Sequence, residues 1–224
     1  ILKFPYDGKE SYLGSKSFQE WAIRNAKLRI TSPKEKAELL CSFRDIPISV
    51  IQRSISTPKG GVEAELVILD DGTEREHYEG RDVRGKIVLT SATYGDKLNK
   101  VRELAVDEFG AIGIVTDGMP TSVIRAMDLA DARNYTSWWW TGRERKKCFG
   151  FVLSPKQGAR LRILAREIEK KGKGPIKLLA KVDARLYNGF LEDVTALIPG
   201  KDNPEEEVLI VAHLCHPNPG ANDN

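Results

Sequence analysis

Apolar positions along the chain fall into short runs set apart by charged stretches, and the period inside each run predicts the element it forms. Gly85-Lys86-Ile87-Val88-Leu89-Thr90 reads as a buried strand, and Lys97 to Phe109 then places Leu98, Val101, Leu104, Ala105 and Phe109 on one helical face. Gly110 supplies the helix stop, and Ala111 to Thr116 is a second buried strand. The three pieces predict a βαβ unit with parallel strands. Val62 to Leu69 reads as a further strand closed by the turn Asp70-Asp71-Gly72, and Gly150 to Ser154 as another strand before a helix. That helix opens on Ser154-Pro155-Lys156-Gln157, a capping box with proline at the first position. Leu161, Leu164, Ala165 and Ile168 form its buried stripe, and Lys170-Lys171-Gly172 ends it. Ile176 to Val182 returns to a strand pattern.

The two ends of the chain are patterned less clearly. Ile1 to Ser17 reads as a polar arm with a turn at Asp7-Gly8, and Phe18, Trp21 and Ala22 sit at helical spacing. Ala26, Leu28 and Ile30 alternate as a strand does, Pro33 to Leu40 reads as a short helix, and Phe43 to Thr57 has no period. Trp21 is better explained by core packing than as a substrate platform, and His77, in a charged run, reads as an exposed residue without a site role. Near the other end, Val208 to Ala212 predicts a buried strand, with Asp193 to Gly200 and a polar turn before it completing a hairpin.

Between Asp117 and Lys147 lies a long segment containing Trp138-Trp139-Trp140 and then the basic run Arg143 to Lys147. Loops of this length in compact domains are often binding loops or lids. On a strand, Trp138 and Trp140 share one face and Trp139 takes the other, so at least one indole should lie near the surface or against another domain.

Composition narrows the function classes. The 224 residues are 41% hydrophobic and 30% charged, enough for one large or two small globular domains. Net charge is only +3, from 35 basic and 32 acidic side chains, and one basic pentad is too narrow for a groove-tracking nucleic-acid binder. No segment reaches the roughly 18 apolar residues of a membrane helix. Three widely separated cysteines argue against a disulfide framework and for a reducing compartment, the cytoplasm. Ile1 to Glu10 holds no signal-peptide core, and the absence of an initiator Met predicts that a segment precedes it.

The candidate chemistry follows the last apolar run. Open α/β sheets bind ligands at the carboxyl ends of their strands. There His213 closes the predicted strand, and Asp223 follows after a loop of Pro, Asn and Gly. Imidazole is a good zinc ligand and carboxylate a good bridge between divalent ions, so His-x9-Asp is a candidate edge of a metal centre. Without further context, a histidine closing a buried strand is more often a structural residue than a ligand, and Cys215 is most simply a small buried thiol.

The strand, Ala212-His213, and Gly220-Ala221-Asn222-Asp223-Asn224 together resemble the zinc aminopeptidases with two co-catalytic zincs, the group of bacterial leucyl aminopeptidase and glutamate carboxypeptidase. The resemblance implies that His213 binds one zinc, that Asp223 bridges two, and that the substrate is a peptide. It departs from the family pattern where an Asp is expected two residues after the histidine: Cys215 stands there, followed by His216, for which the resemblance leaves open a place beside the ligands or as an alternative ligand. The family's general base and remaining ligands are expected beyond Asn224, so these residues alone are expected to hydrolyse nothing. Residues from roughly Val62 to Tyr187, with their βαβ unit, are similar to the protease-associated domain, a small β-rich module inserted in this peptidase group.

The expectation is therefore a mixed α/β chain in three parts. Residues 1–61 form an N-terminal segment, 62–190 a protease-associated-like domain, and 191–224 the first strands of a zinc-peptidase sheet. A non-catalytic interaction module with a vestigial metal motif is the alternative.

Overall fold

The computed structural model describes residues 1–93, 95–120, 128–140, 142, 144–201 and 206–213. In chain order the strands are β1 (Leu2–Tyr6), β2 (Ser11–Tyr12), β3 (Ser15–Lys16), β4 (Glu20–Ser32), β5 (Glu38–Ser42), β6 (Val62–Ile68) and β7 (Ile87–Thr90). Helix α1 (Asp96–Arg102), β8 (Gly113–Thr116), β9 (Phe149–Val152), α2 (Pro155–Lys170), β10 (Lys177–Tyr187) and β11 (Gly189–Asp193) follow. Seven strands form one mixed sheet in the order β5-β4-β10-β6-β7-β8-β9. Pairing is antiparallel from β5 through β10 to β6 and parallel from β6 to β9. The chain is thus mixed α/β, and β7-α1-β8 is the parallel unit that the hydrophobic period predicts.

Strands β7, β8 and β9 are buried throughout because this part of the sheet is covered on both faces. Side chains of successive strand residues point to opposite sides, so Ile87 and Leu89 join one core cluster and Val88 the other. Val115 and Phe151 lie in the first cluster with Leu161 and Ile168 of α2. Ile114 and Val152 lie in the second with Leu98 and Val101 of α1. Leu161 and Ile168 are 1% and 6% exposed, each worth about 2 kcal/mol of apolar burial.

Helix α2 begins as its sequence specifies. Ser154 Oγ accepts from Gln157 N at 3.3 Å, and Gln157 Oε1 accepts from Ser154 N at 3.2 Å. Helix α1 is shorter than the period predicts, because from Glu103 to Glu108 it widens into a π-helical turn, in which Phe109 N donates to Leu104 O at 2.9 Å.

The N-terminal third differs from the local reading. Phe18 to Ala22 is not helical: Trp21 and Ala22 lie on β4, opposite Leu186 and Arg185 of β10. Sheet pairing with a distant strand overrides a weak helical spacing. The arm is ordered for the same reason, with β1 antiparallel to β11 from Leu2↔Asp193 to Tyr6↔Gly189. The helix expected after Pro33 is one 3₁₀ turn, Lys34–Lys36, before β5 takes over at Glu38. His77 is half-buried rather than exposed, and its Nδ1 accepts from Gly72 N at 3.1 Å and Glu74 N at 3.3 Å, which closes the turn after β6.

Candidate functional site

Three places are able to carry chemistry. The first is the predicted metal edge. His213 is exposed at the end of a segment, 206–213, that has no regular secondary structure. Val208, Leu209, Ile210 and Val211 are 92%, 84%, 88% and 81% exposed, so the buried strand expected there is not formed. A central strand is stable only with neighbours on its edges and cover on its faces, and no described strand pairs with this run. The expected hairpin fails likewise: Asp193 closes β11, and residues 194–200 are exposed without regular structure. Asp223, Cys215 and His216 lie outside the described residues. Among the described residues no group of three His, Cys, Asp or Glu side chains is placed to hold a metal ion. The described donors therefore do not by themselves make a zinc site.

The second place is the carboxyl end of the parallel strands, where α/β sheets usually open. Here the described residues are tied to one another. Asp117, just past β8, makes a two-pronged ion pair with Arg162 of α2, with N–O distances of 2.5 and 3.0 Å and side chains only 7% and 19% exposed. Gly158 is required beneath it, because a Cβ there would stand 1.8 Å from Asp117 Oδ2. Thr116 Oγ1 donates to Ala92 O at 2.7 Å and accepts from Gly118 N at 3.0 Å, while the Thr90 and Ser91 hydroxyls donate to the carbonyls of Asp71 and Asp70. These polar groups are consumed in holding loops together.

The third place is the tryptophan loop. Trp138 and Trp140 are 0% and 6% exposed and tilted against each other at 5.7 Å, while Trp139 is 45% exposed, so the indoles alternate although residues 138–140 form no strand. Trp139 meets the edge of Phe18 at 5.2 Å, and the Arg53 guanidinium packs against both rings. Arg53 is anchored by Ser137 Oγ at 2.7 Å and Gln52 Oε1 at 3.1 Å, and its carbonyl accepts from Trp140 Nε1 at 2.8 Å. Its φ of 64° is left-handed, a conformation few residues with a side chain adopt. Partial burial raises the Tyr6 hydroxyl above its ordinary range, opposed by the neighbouring Arg53 charge. Local sequence gives no sign of Arg53's role, because apart from Gln52 its partners are remote in the chain, at residues 18, 137, 139 and 140.

Fold and core together define a two-sided mixed α/β module with a β-ribbon at one end. Among solved structures it is similar to the aminopeptidase from Aneurinibacillus sp. strain AM-1, at a TM-score of 0.54 and 17% identity over 84% of this chain and 35% of that one. That likeness shows a shared fold. The Peptidase M28 precursor from Shewanella amazonensis SB2B (TM-score 0.49, 18% identity, 84% and 39% coverage) and the zinc aminopeptidase from Bacillus subtilis (0.43, 12%, 77% and 35%) are also similar. The chain spans 35% to 39% of the length of these three structures. No protein-family model and no curated protein matches it.

Proposed function

We propose that this chain is part of a zinc-dependent exopeptidase of the aminopeptidase type, acting on peptides. The observation that carries the reading is the fold shared with the Aneurinibacillus aminopeptidase over 84% of the chain. The His213…Asp223 spacing adds the chemistry, although neither the fold likeness nor the described geometry tests those two residues. In this reading residues 62–190 form a protease-associated-like domain behind an N-terminal segment, 1–61, and residues 191–224 begin the catalytic domain. His213 would donate an imidazole nitrogen to one of two zinc ions and Asp223 a bridging carboxylate. Bound zinc supplies a Lewis acid and a water of lowered pKa. The cysteine count favours the cytoplasm, and Cys41 and Cys148 are both free and buried.

Zinc titration of a longer polypeptide containing these residues tests the proposal. Two equivalents should bind, N-terminal amino acids should be released from peptides, and His213→Ala and Asp223→Asn should each abolish release while leaving the fold intact. A second reading is a non-catalytic interaction module with a vestigial metal motif, in keeping with Cys215 standing two residues after His213 where the family pattern has Asp. It expects neither zinc binding nor release.

A further inference from the structure

The antiparallel half of the sheet has a face that neither helix covers. Ala26, Leu28 and Ile30 of β4 and Leu178, Ala180 and Val182 of β10 are buried in the cluster that α2 completes. The cluster under α1 takes Val88, Ile114 and Val152 from β7, β8 and β9 and nothing from β4. By alternation Lys27 and Arg29 of β4 and Lys181 of β10 point away from α2, and all three are exposed.

Register sets Lys27 directly opposite Lys181 and Arg29 opposite Leu179. Side chains opposed in this way stand about 5 Å apart at Cβ, and like charges there repel. Among the described residues none of these three cations, nor Lys59 in the loop before β6, is in an ion pair. The carboxylates on this face do not balance them. Asp183 lies opposite Asn25 and Glu63 opposite Leu179, while Glu65 and Asp82 share Lys86. With Lys177, opposite Glu65, six cations meet four carboxylates, which leaves a surplus of two positive charges. Further along, Glu20 and Arg185 offset one another. Beside Lys181 the face deepens into a groove of about 390 Å³ that Lys59, Asn25 and Asp183 also line.

The geometry points to this face as the docking surface for an acidic peptide segment in extended conformation. Alternate residues of an extended chain recur at about 6.8 Å, the same repeat that separates Lys27 from Arg29 along β4, so glutamates at alternate positions meet successive cations. A carboxylate between Lys27 and Lys181 turns their repulsion into attraction. Leu39, half-exposed opposite Arg29, and Leu179 give aliphatic contact alongside the charges. Single-stranded nucleic acid needs aromatic faces on which to stack its bases, and Lys27, Arg29, Leu39, Leu179 and Lys181 supply none. The proposal rests on neither zinc nor hydrolysis, so its failure leaves the peptidase reading as it stands.

The test is fluorescence anisotropy of a labelled Gly/Ser peptide with glutamate at alternate positions, titrated with the full chain. The same peptide with lysine at those positions and an oligothymidylate of equal charge are the comparisons. The glutamate peptide should bind saturably, and the other two at least about tenfold more weakly. Lys27→Gln with Lys181→Gln should weaken glutamate-peptide binding by about tenfold, with an unchanged or raised thermal midpoint because a repulsive pair is gone. Lys156→Gln with Lys173→Gln removes the same net charge elsewhere on the surface and should leave binding within about twofold. Equal losses in the two double variants, oligothymidylate binding as tight as that of the glutamate peptide, or no saturation up to about millimolar protein would overturn the proposal. Arg29→Gln, weakening binding by about threefold, keeps the test decisive should the Lys27 and Lys181 variant unfold; undiminished binding by it counts against the proposal equally.

Discussion

The guanidinium carbon of Arg53 sits 4.8 Å from the centre of the Trp139 ring, and the same group lies 5.3 Å from that of Phe18. One side chain thereby joins the N-terminal arm, the irregular 43–57 stretch and the tryptophan loop.

Replacing Arg53 separates its contacts from its backbone. Arg53→Ala loses both ring contacts and the Ser137 hydrogen bond while keeping φ at 64°, and should cost about 2 kcal/mol in urea unfolding. Arg53→Gly loses the same contacts but relieves the left-handed backbone, recovering about 1 kcal/mol. The expected stability order is native, then Gly, then Ala; an alanine variant as stable as the native chain contradicts it.

The Asp117–Arg162 pair should be intolerant of one-sided change. Asp117→Asn leaves a guanidinium that is 19% exposed without its counter-charge, at about 3 kcal/mol. Gly158→Ala should cost a similar amount by pushing the carboxylate aside, and only part of that is recovered when Asp117 is already alanine, because the Cβ at 117 still stands 2.7 Å away. Additive losses in that double-variant cycle would show that the two positions act separately.

Ser154→Ala removes the cap of α2 and should destabilise by about 1 kcal/mol, whereas Ser154→Asp should retain most of it. Thermal unfolding of the two variants side by side measures the difference.

Burial pushes the Cys41 and Cys148 thiols up from 9.0 to about 12. Both should resist thiol reagents in the native chain and react once it is unfolded. A thiol whose folded pKa is raised favours folding fully below pH 9 and loses that contribution as pH climbs toward 12, because the unfolded chain releases its proton first. Stability should therefore fall through this window by up to about 1.4 kcal/mol per pH unit for each thiol, and Cys148→Ala should flatten the slope. A stability curve level from pH 9 to 12 in urea titrations contradicts this.

The sheet from Val62 to Val182 was readable because its strands carry their own period and its second helix its own cap. Alternation called for at least one indole near the surface, and the fold decided that it is Trp139. Phe18 to Ala22 was misread because helical spacing over five residues is weak, while β4 owes its conformation to β10, more than a hundred positions away. Val208 to Val211 was misread from the opposite cause: an apolar run says what a segment can become, and burial depends on partners that the described residues do not supply.

By itself the sequence determined the parallel unit, the capped helix and the need for at least one indole near the surface, since these depend on residues a few positions apart. Tertiary structure alone decided the pairing of Leu2 with Asp193, the ion pair of Asp117 with Arg162, and the left-handed seat of Arg53. Each of these joins residues remote in the chain, and no local pattern encodes the free energy of contacts made only when distant segments meet.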